Sequence, residues 1–127
     1  MSIPLQLAPS QRQDRETAAR LALVEKAEAE LAEAGRAAAA EYQTMASDAT
    51  RLEQRIQRYR AAVATPARQR TAAALAAFRS NQGPLTGLFE ARHAEVEAER
   101  RLLTLERDLA KVRAQLAMKL LAEGGNP

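Results

Sequence analysis

The sequence has no cysteine and no tryptophan, and its aromatic side chains are two Phe and two Tyr in 127 residues. Without cysteine there is no disulfide frame and no thiol chemistry. With His93 as the single histidine, no standard zinc site can be assembled either. The chain is 46% apolar but only 3% aromatic, and 30 alanines carry much of that apolar share. Alanine is the strongest helix former and buries little area, so close helix–helix contact is favoured over a thick globular core. The opening MSIPLQLAPSQRQD lacks a basic-then-apolar leader, and no run approaches the ~20 apolar residues of a membrane helix. The chain as written is expected not to be exported by itself.

Helix breakers are also scarce. Between Ser10 and Arg79 there is one Gly, Gly35, and one Pro, Pro66; between Phe89 and Glu123 there is neither. The two runs are separated by Ser80 to Leu88, SNQGPLTGL, which holds Gly83, Pro84 and Gly87. This spacing predicts two helical rods joined by one turn. The expected architecture is all-α, a long antiparallel helical hairpin of coiled-coil type with a short N-terminal β-strand remnant. Its parts are a strand remnant and linker over residues 1–9, a long helix over 10–80 with Pro66 as its kink point, and a tip turn over 81–87. A second helix over 88–123 and a tail over 124–127 complete it.

The apolar spacing supports each part. Ile3, Leu5 and Leu7 alternate with Ser2, Pro4 and Gln6, a strand period that Pro4 confines to an edge. Ser10 and Gln13 fit a capping box at the start of the first helix. From there a three–four seam runs through Leu21, Val24, Glu28, Leu31, Gly35, Ala38, Tyr42, Met45, Ala49, Leu52, Ile56, Tyr59 and Val63. After Pro66 it resumes at Ala67, Thr71, Ala74 and Phe78, one residue out of step, which a kink or stutter would absorb.

The second helix shows the same seam at Leu88, Ala91, Glu95, Ala98, Leu102, Leu105, Leu109, Val112 and Leu116. It also shows a parallel stripe at Phe89, Val96, Leu103, Ala110 and Ala117. Two adjoining stripes imply neighbours on both sides, as in a bundle or a closed ring of helices. At 1.5 Å per residue the first helix could reach ~100 Å and the second ~50 Å. The seam from about Thr17 to Ala46 therefore has no partner within the chain, which predicts an oligomer or a piece of a larger protein.

No catalytic constellation is evident. His93 lies on the polar side of its helix with no second ligand at metal-binding spacing, so no metal or cofactor is expected. Glu95, Glu97 and Glu99 point in different directions on a helix, and Glu97 with Arg101 has the spacing of an ordinary ion pair. Charge is uneven. Glu25 to Thr50 holds six acids and two bases, whereas Arg51 to Arg79 holds seven arginines against Glu53 alone. Those arginines surround the seam without forming a stripe and no DNA-binding motif accompanies them, so they read as a solvated face. Nucleic acid is the least expected partner.

The run PARQRTAAALAAFRSNQGPLTGLFEARHAEVEAERRLLTLERDLAKVRAQL resembles the C-terminal part of TolC-like outer-membrane factors, nearest to the CzcC-type heavy-metal efflux branch. The likeness is carried by Pro66-Ala67 with Arg70, by Phe78, by Gly83, and by Leu88-Phe89-Glu90-Ala91-Arg92. The opening SIPLQLAPSQRQDRETAARLALVEKAEAE is similar to that family's last barrel strand passing into its long helix. The resemblance implies a homotrimeric, passive efflux channel spanning outer membrane and periplasm. An inner-membrane pump and a periplasmic adaptor would be its partners, and this chain would supply a second structural repeat without the first.

By the same resemblance the turn residues Asn81, Gly83, Pro84, Leu85, Thr86, Gly87 and Leu88 form the tip that meets the adaptor. Asn81 stands where the family commonly has glycine, and Gly87 where many members carry an acid near the channel mouth. The alternative is a self-associating coiled-coil scaffold, or an adaptor-type hairpin, without channel activity.

Overall fold

A computed structural model describes residues 7–125. Helix α1 spans Leu7–Tyr59 and passes through a five-residue π turn, Arg60–Ala64, into α2, Thr65–Arg79; a short turn leads to α3, Leu85–Gly124. Among the described residues the fold is all-helical. Of the strand remnant and linker expected over residues 1–9, residues 1–6 lie outside the described residues, and Leu7, Ala8 and Pro9 are helical. The helix thus begins three residues before Ser10, which sits inside it rather than at a cap. Pro9 is compatible with that start, because the first turn of a helix needs no N–H from it.

The described residues fall into two units that divide between Glu41 and Tyr42. The first, where described, is a single helical stretch. Its seam positions Leu21, Val24 and Leu31 are 59%, 52% and 75% exposed. Gly35 has open space around it, so it marks no close approach.

The second unit is the hairpin. Its core is a ladder of Ala49, Ile56 and Ala64 against Leu102, Leu105 and Leu109, edged by the half-buried Leu52, Tyr59, Val112 and Leu116. All nine positions expected for the α3 seam are buried or half-buried, from Leu88 to Leu116. On the opposing strand of the hairpin Tyr42, Met45, Ala49, Leu52, Ile56 and Tyr59 keep the expected step, and Val63 does not: it is exposed, and Ala64 is buried in its place.

The π turn is the reason. Tyr59, Ala64 and Thr65 keep right-handed helical backbone angles, and the Thr65 N–H bonds to the Arg60 carbonyl, five residues back. One extra residue is thereby taken up without breaking the helix, and Ala67, Thr71 and Ala74 return to the inner face. Pro66 falls at the start of α2, where its missing N–H is least costly. Ala61, Ala62 and Val63, the residues just before it, are exposed.

The turn itself is shorter than expected, because α3 starts at Leu85 rather than Leu88. Leu85, Thr86 and Gly87 are therefore its first helical residues. Asn81 holds the left-handed conformation, with φ 55°, and no glycine has positive φ. Around it the Asn81 N–H donates to the Phe78 carbonyl at 3.1 Å and the Gln82 N–H to the Ala77 carbonyl at 2.8 Å, a Schellman termination of α2. Asparagine serves here because its short polar side chain tolerates that region.

The two turn glycines are not equivalent. A Cβ on Gly83 would stand 3.0 Å from the Ala77 Cβ, whereas one on Gly87 would meet only the Pro84 ring at 3.7 Å. Gly83→Ala is expected to destabilise the hairpin by roughly 1–3 kcal/mol, the usual cost of overpacking. Gly87→Ala should stabilise it by about 0.5–1 kcal/mol, since a helical glycine is being replaced. Urea unfolding of the two variants checks both signs; equal effects would contradict the asymmetry.

Candidate functional site

Two groups of side chains stand out on the hairpin: an apolar set beside the turn, and a polar set along the seam. At the turn Pro84 has extended backbone and caps α3 without a side-chain hydrogen bond. Leu85 follows at 45% exposure, Phe89 is 64% exposed and Phe78 39%. Leu88 is half-buried at the end of the seam. Of the expected tip residues, Asn81, Gly83 and Pro84 form the turn proper, while Leu85, Thr86, Gly87 and Leu88 present the first helical turn beyond it. That first turn carries no acidic residue. Phe78, placed on the seam by spacing alone, is instead 39% exposed.

Along the seam, acids and arginines meet across the hairpin. Arg60 Nη2 donates to Glu106 Oε1 at 2.7 Å and Arg68 Nε to Glu99 Oε1 at 3.2 Å. Arg113 pairs with Glu53 in the same manner. Two of the seven arginines assigned to a solvated face therefore bond to α3, and a third, Arg51, lies 3.7 Å from Asp48. The sequence hides this, because the compensating acids are some thirty to fifty positions away. From Glu53 to Arg60 is seven residues and from Arg60 to Arg68 eight, while their partners Arg113, Glu106 and Glu99 are spaced seven and seven. The additional residue is the one in the π turn. Exposed pairs of this kind contribute about 0–1 kcal/mol each, so they set alignment more than stability.

Glu95 is different. It is 7% exposed, the one charged residue buried among the described residues. Arg92 Nη1 lies 3.0 Å from its Oε2, an ion pair without the alignment of a hydrogen bond, and that oxygen has no other partner. Thr71, on α2, is half-buried, and its hydroxyl donates to the Ala67 carbonyl at 3.2 Å. The Thr71 hydroxyl first, then the Arg92 guanidinium, hold the Glu95 carboxyl below its ordinary value of 4.5, against the opposing effect of burial. A depressed acid stabilises the fold fully above its unfolded value. That contribution is lost as the pH falls below 4.5 and through the folded value.

The remaining acids form no site. Glu97 pairs with Arg100, at 3.2 Å, rather than with Arg101, and His93 is exposed. Among the described residues no three acidic or histidine side chains converge as metal ligands, and no helix is long and apolar enough to cross a membrane. A groove of about 820 Å³ runs beside the core, floored by Ile56 and Leu109 and bordered by the Glu53–Arg113 and Arg60–Glu106 pairs. Its lining is mostly charged and amide side chains, with Gln54, Gln57 and Arg58 beside the two ion pairs. Compared with protein-family models, curated proteins and solved structures, the chain matches none.

Proposed function

We propose that this chain is a helical tube segment of an outer-membrane efflux channel of the TolC-like kind that its sequence resembles. It acts as part of a passive conduit, in a homotrimer, with the Asn81–Leu88 end directed at a periplasmic adaptor and energy supplied by an inner-membrane pump. The observation that carries this reading is the double surface of α3. One seam is closed by the hairpin, while Phe89 and Leu103 on the adjoining stripe remain 64% exposed each. A helix in the wall of a tube needs a neighbour on either side, and one of the two is supplied within this unit. The exposed Leu21, Val24 and Leu31 of the first unit call for a further partner in the same way.

A self-associating coiled-coil scaffold is the second reading, favoured by the completeness of the hairpin's own core. The experiment that separates the two is Leu85→Glu in a complete channel carrying this segment. Leu85 lies outside the seam, and a carboxylate in a first helical turn is favourable by about 0.3–1 kcal/mol, so folding and trimer assembly should be unchanged. Efflux is expected to fall severalfold at normal protein level, with loss of crosslinks from the turn to the adaptor. Normal transport, with no crosslink to an adaptor in the parent, would leave the scaffold.

A further inference from the structure

The three ion pairs that cross the hairpin divide one side of it into two hollows. The groove of about 820 Å³ lies between Glu53–Arg113 and Arg60–Glu106. A second hollow, of about 380 Å³, lies between Arg60–Glu106 and Arg68–Glu99 and is floored by Ala64 and Leu102. Successive pairs are seven residues apart on α3, so the hollows repeat at about 10 Å along that helix. The open stripe of α3 borders both, with Ala110 at the first and Leu103 at the second. Arg58 also lines the first hollow. Unlike Arg60, Arg68 and Arg113, it has no hydrogen bond or ion pair among the described residues.

We propose that these hollows seat residues 21–31 of a second copy of the chain, with Val24 entering one and Leu31 the other. Val24 and Leu31 are seven residues apart on one helix and are 52% and 75% exposed. Their spacing matches the repeat of the hollows, as the side chains of a helix packed against a helical pair must. Charge selects the occupant. Glu28 stands between Val24 and Leu31 on that face and Glu25 at its border. Both are exposed and have no hydrogen bond or ion pair among the described residues. Two such helices packed face to face would set these carboxylates against each other, whereas the first hollow offers them the Arg58 guanidinium. A helix held there lies over Leu103 and closes that part of the stripe. The proposal rests on the reading that another copy covers the open side of α3, and it holds for channel and scaffold alike.

Sedimentation of the full chain at low ionic strength, where charge contacts are least screened, tests it. Val24→Glu with Leu31→Glu should weaken self-association by about a hundredfold or more. Helix content should not change, since both positions are exposed within one copy. Leu23→Glu is the control: Leu23 is 65% exposed on the same helix but lies outside the seam, so association should stay within about twofold of the parent. Charge exchange supplies the second arm. Glu25→Arg with Glu28→Arg, and separately Arg58→Glu, should each weaken association about tenfold by setting like charges together. All three changes in one chain restore opposite charges at the contact and should bring association back to within about threefold of the parent. Undiminished association in Val24→Glu with Leu31→Glu, or a combined variant no tighter than its parts, overturns the proposal and leaves the stripe to another occupant. A monomeric parent overturns it together with the reading it rests on.

Discussion

Removing one of the adjacent Ala61 and Ala62 together with Pro66→Ala is expected to give a hairpin at least as stable as the parent, with regular α-helix where the π turn stood. The π turn accommodates one residue more than the facing helix requires, as the spacing of the ion pairs shows. Taking that residue out lets Tyr59, Ala64, Ala67 and Thr71 follow one another at ordinary helical steps. The deletion alone should cost roughly 3 kcal/mol, because the proline then sits in a regular helix and collides with the carbonyl four residues back. Deleting Thr104 from α3 is the contrast. No bulge is available there, so Leu105, Leu109, Val112 and Leu116 would all turn away from the core, at roughly 1.5–3 kcal/mol for each large side chain exposed. That variant should unfold the hairpin. Circular dichroism and urea denaturation measure all three. If the double change is as damaging as the Thr104 deletion, the π turn has a role other than absorbing a misfit.

That misfit was visible in the sequence, and its resolution was not. The one-residue slip between Val63 and Ala67 follows from spacing, but spacing cannot distinguish a kink at Pro66 from a π turn just before it. The choice depends on whether Ala61 and Ala62 face water, which is a property of the pairing with α3. The α3 seam was legible throughout, since a three–four period over nine positions leaves one consistent inner face. The turn was legible in place but not in detail. Gly83 and Gly87 mark the turn in the sequence, yet the positive φ falls on Asn81, and Gly83 is needed for its approach to Ala77 rather than for its backbone angles.

The polar elements were the least legible. Ion pairs such as Arg68–Glu99 join residues distant in sequence. Spacing places both Glu95 and Glu28 on apolar seams. The structure buries Glu95 with the Arg92 guanidinium 3.0 Å away, whereas Glu28, in the first unit, is exposed.

Leu105→Ala and Leu103→Ala, two positions apart on one helix, are expected to differ by several kcal/mol in their effect on the hairpin. Leu105 is 6% exposed and belongs to the core, so its truncation should cost roughly 2–5 kcal/mol through lost burial and the cavity left behind. Leu103 is 64% exposed, and its truncation should stay within about 0.5 kcal/mol. In the proposed assembly, Leu103 would instead meet a neighbouring copy. Replacing both Leu103 and Phe89 by Glu places charge on the stripe left open by the hairpin. If each side chain contributes roughly 1.5–3 kcal/mol when a neighbour covers it, the pair should weaken self-association by about two to four orders of magnitude. Sedimentation at micromolar concentration should then show an oligomer for the parent and a monomer for Leu103→Glu with Phe89→Glu, with unchanged helix content. A parent that is monomeric at these concentrations, or a double variant that associates as the parent does, would remove the stripe from the assembly and with it the main physical support for neighbours on both sides of α3.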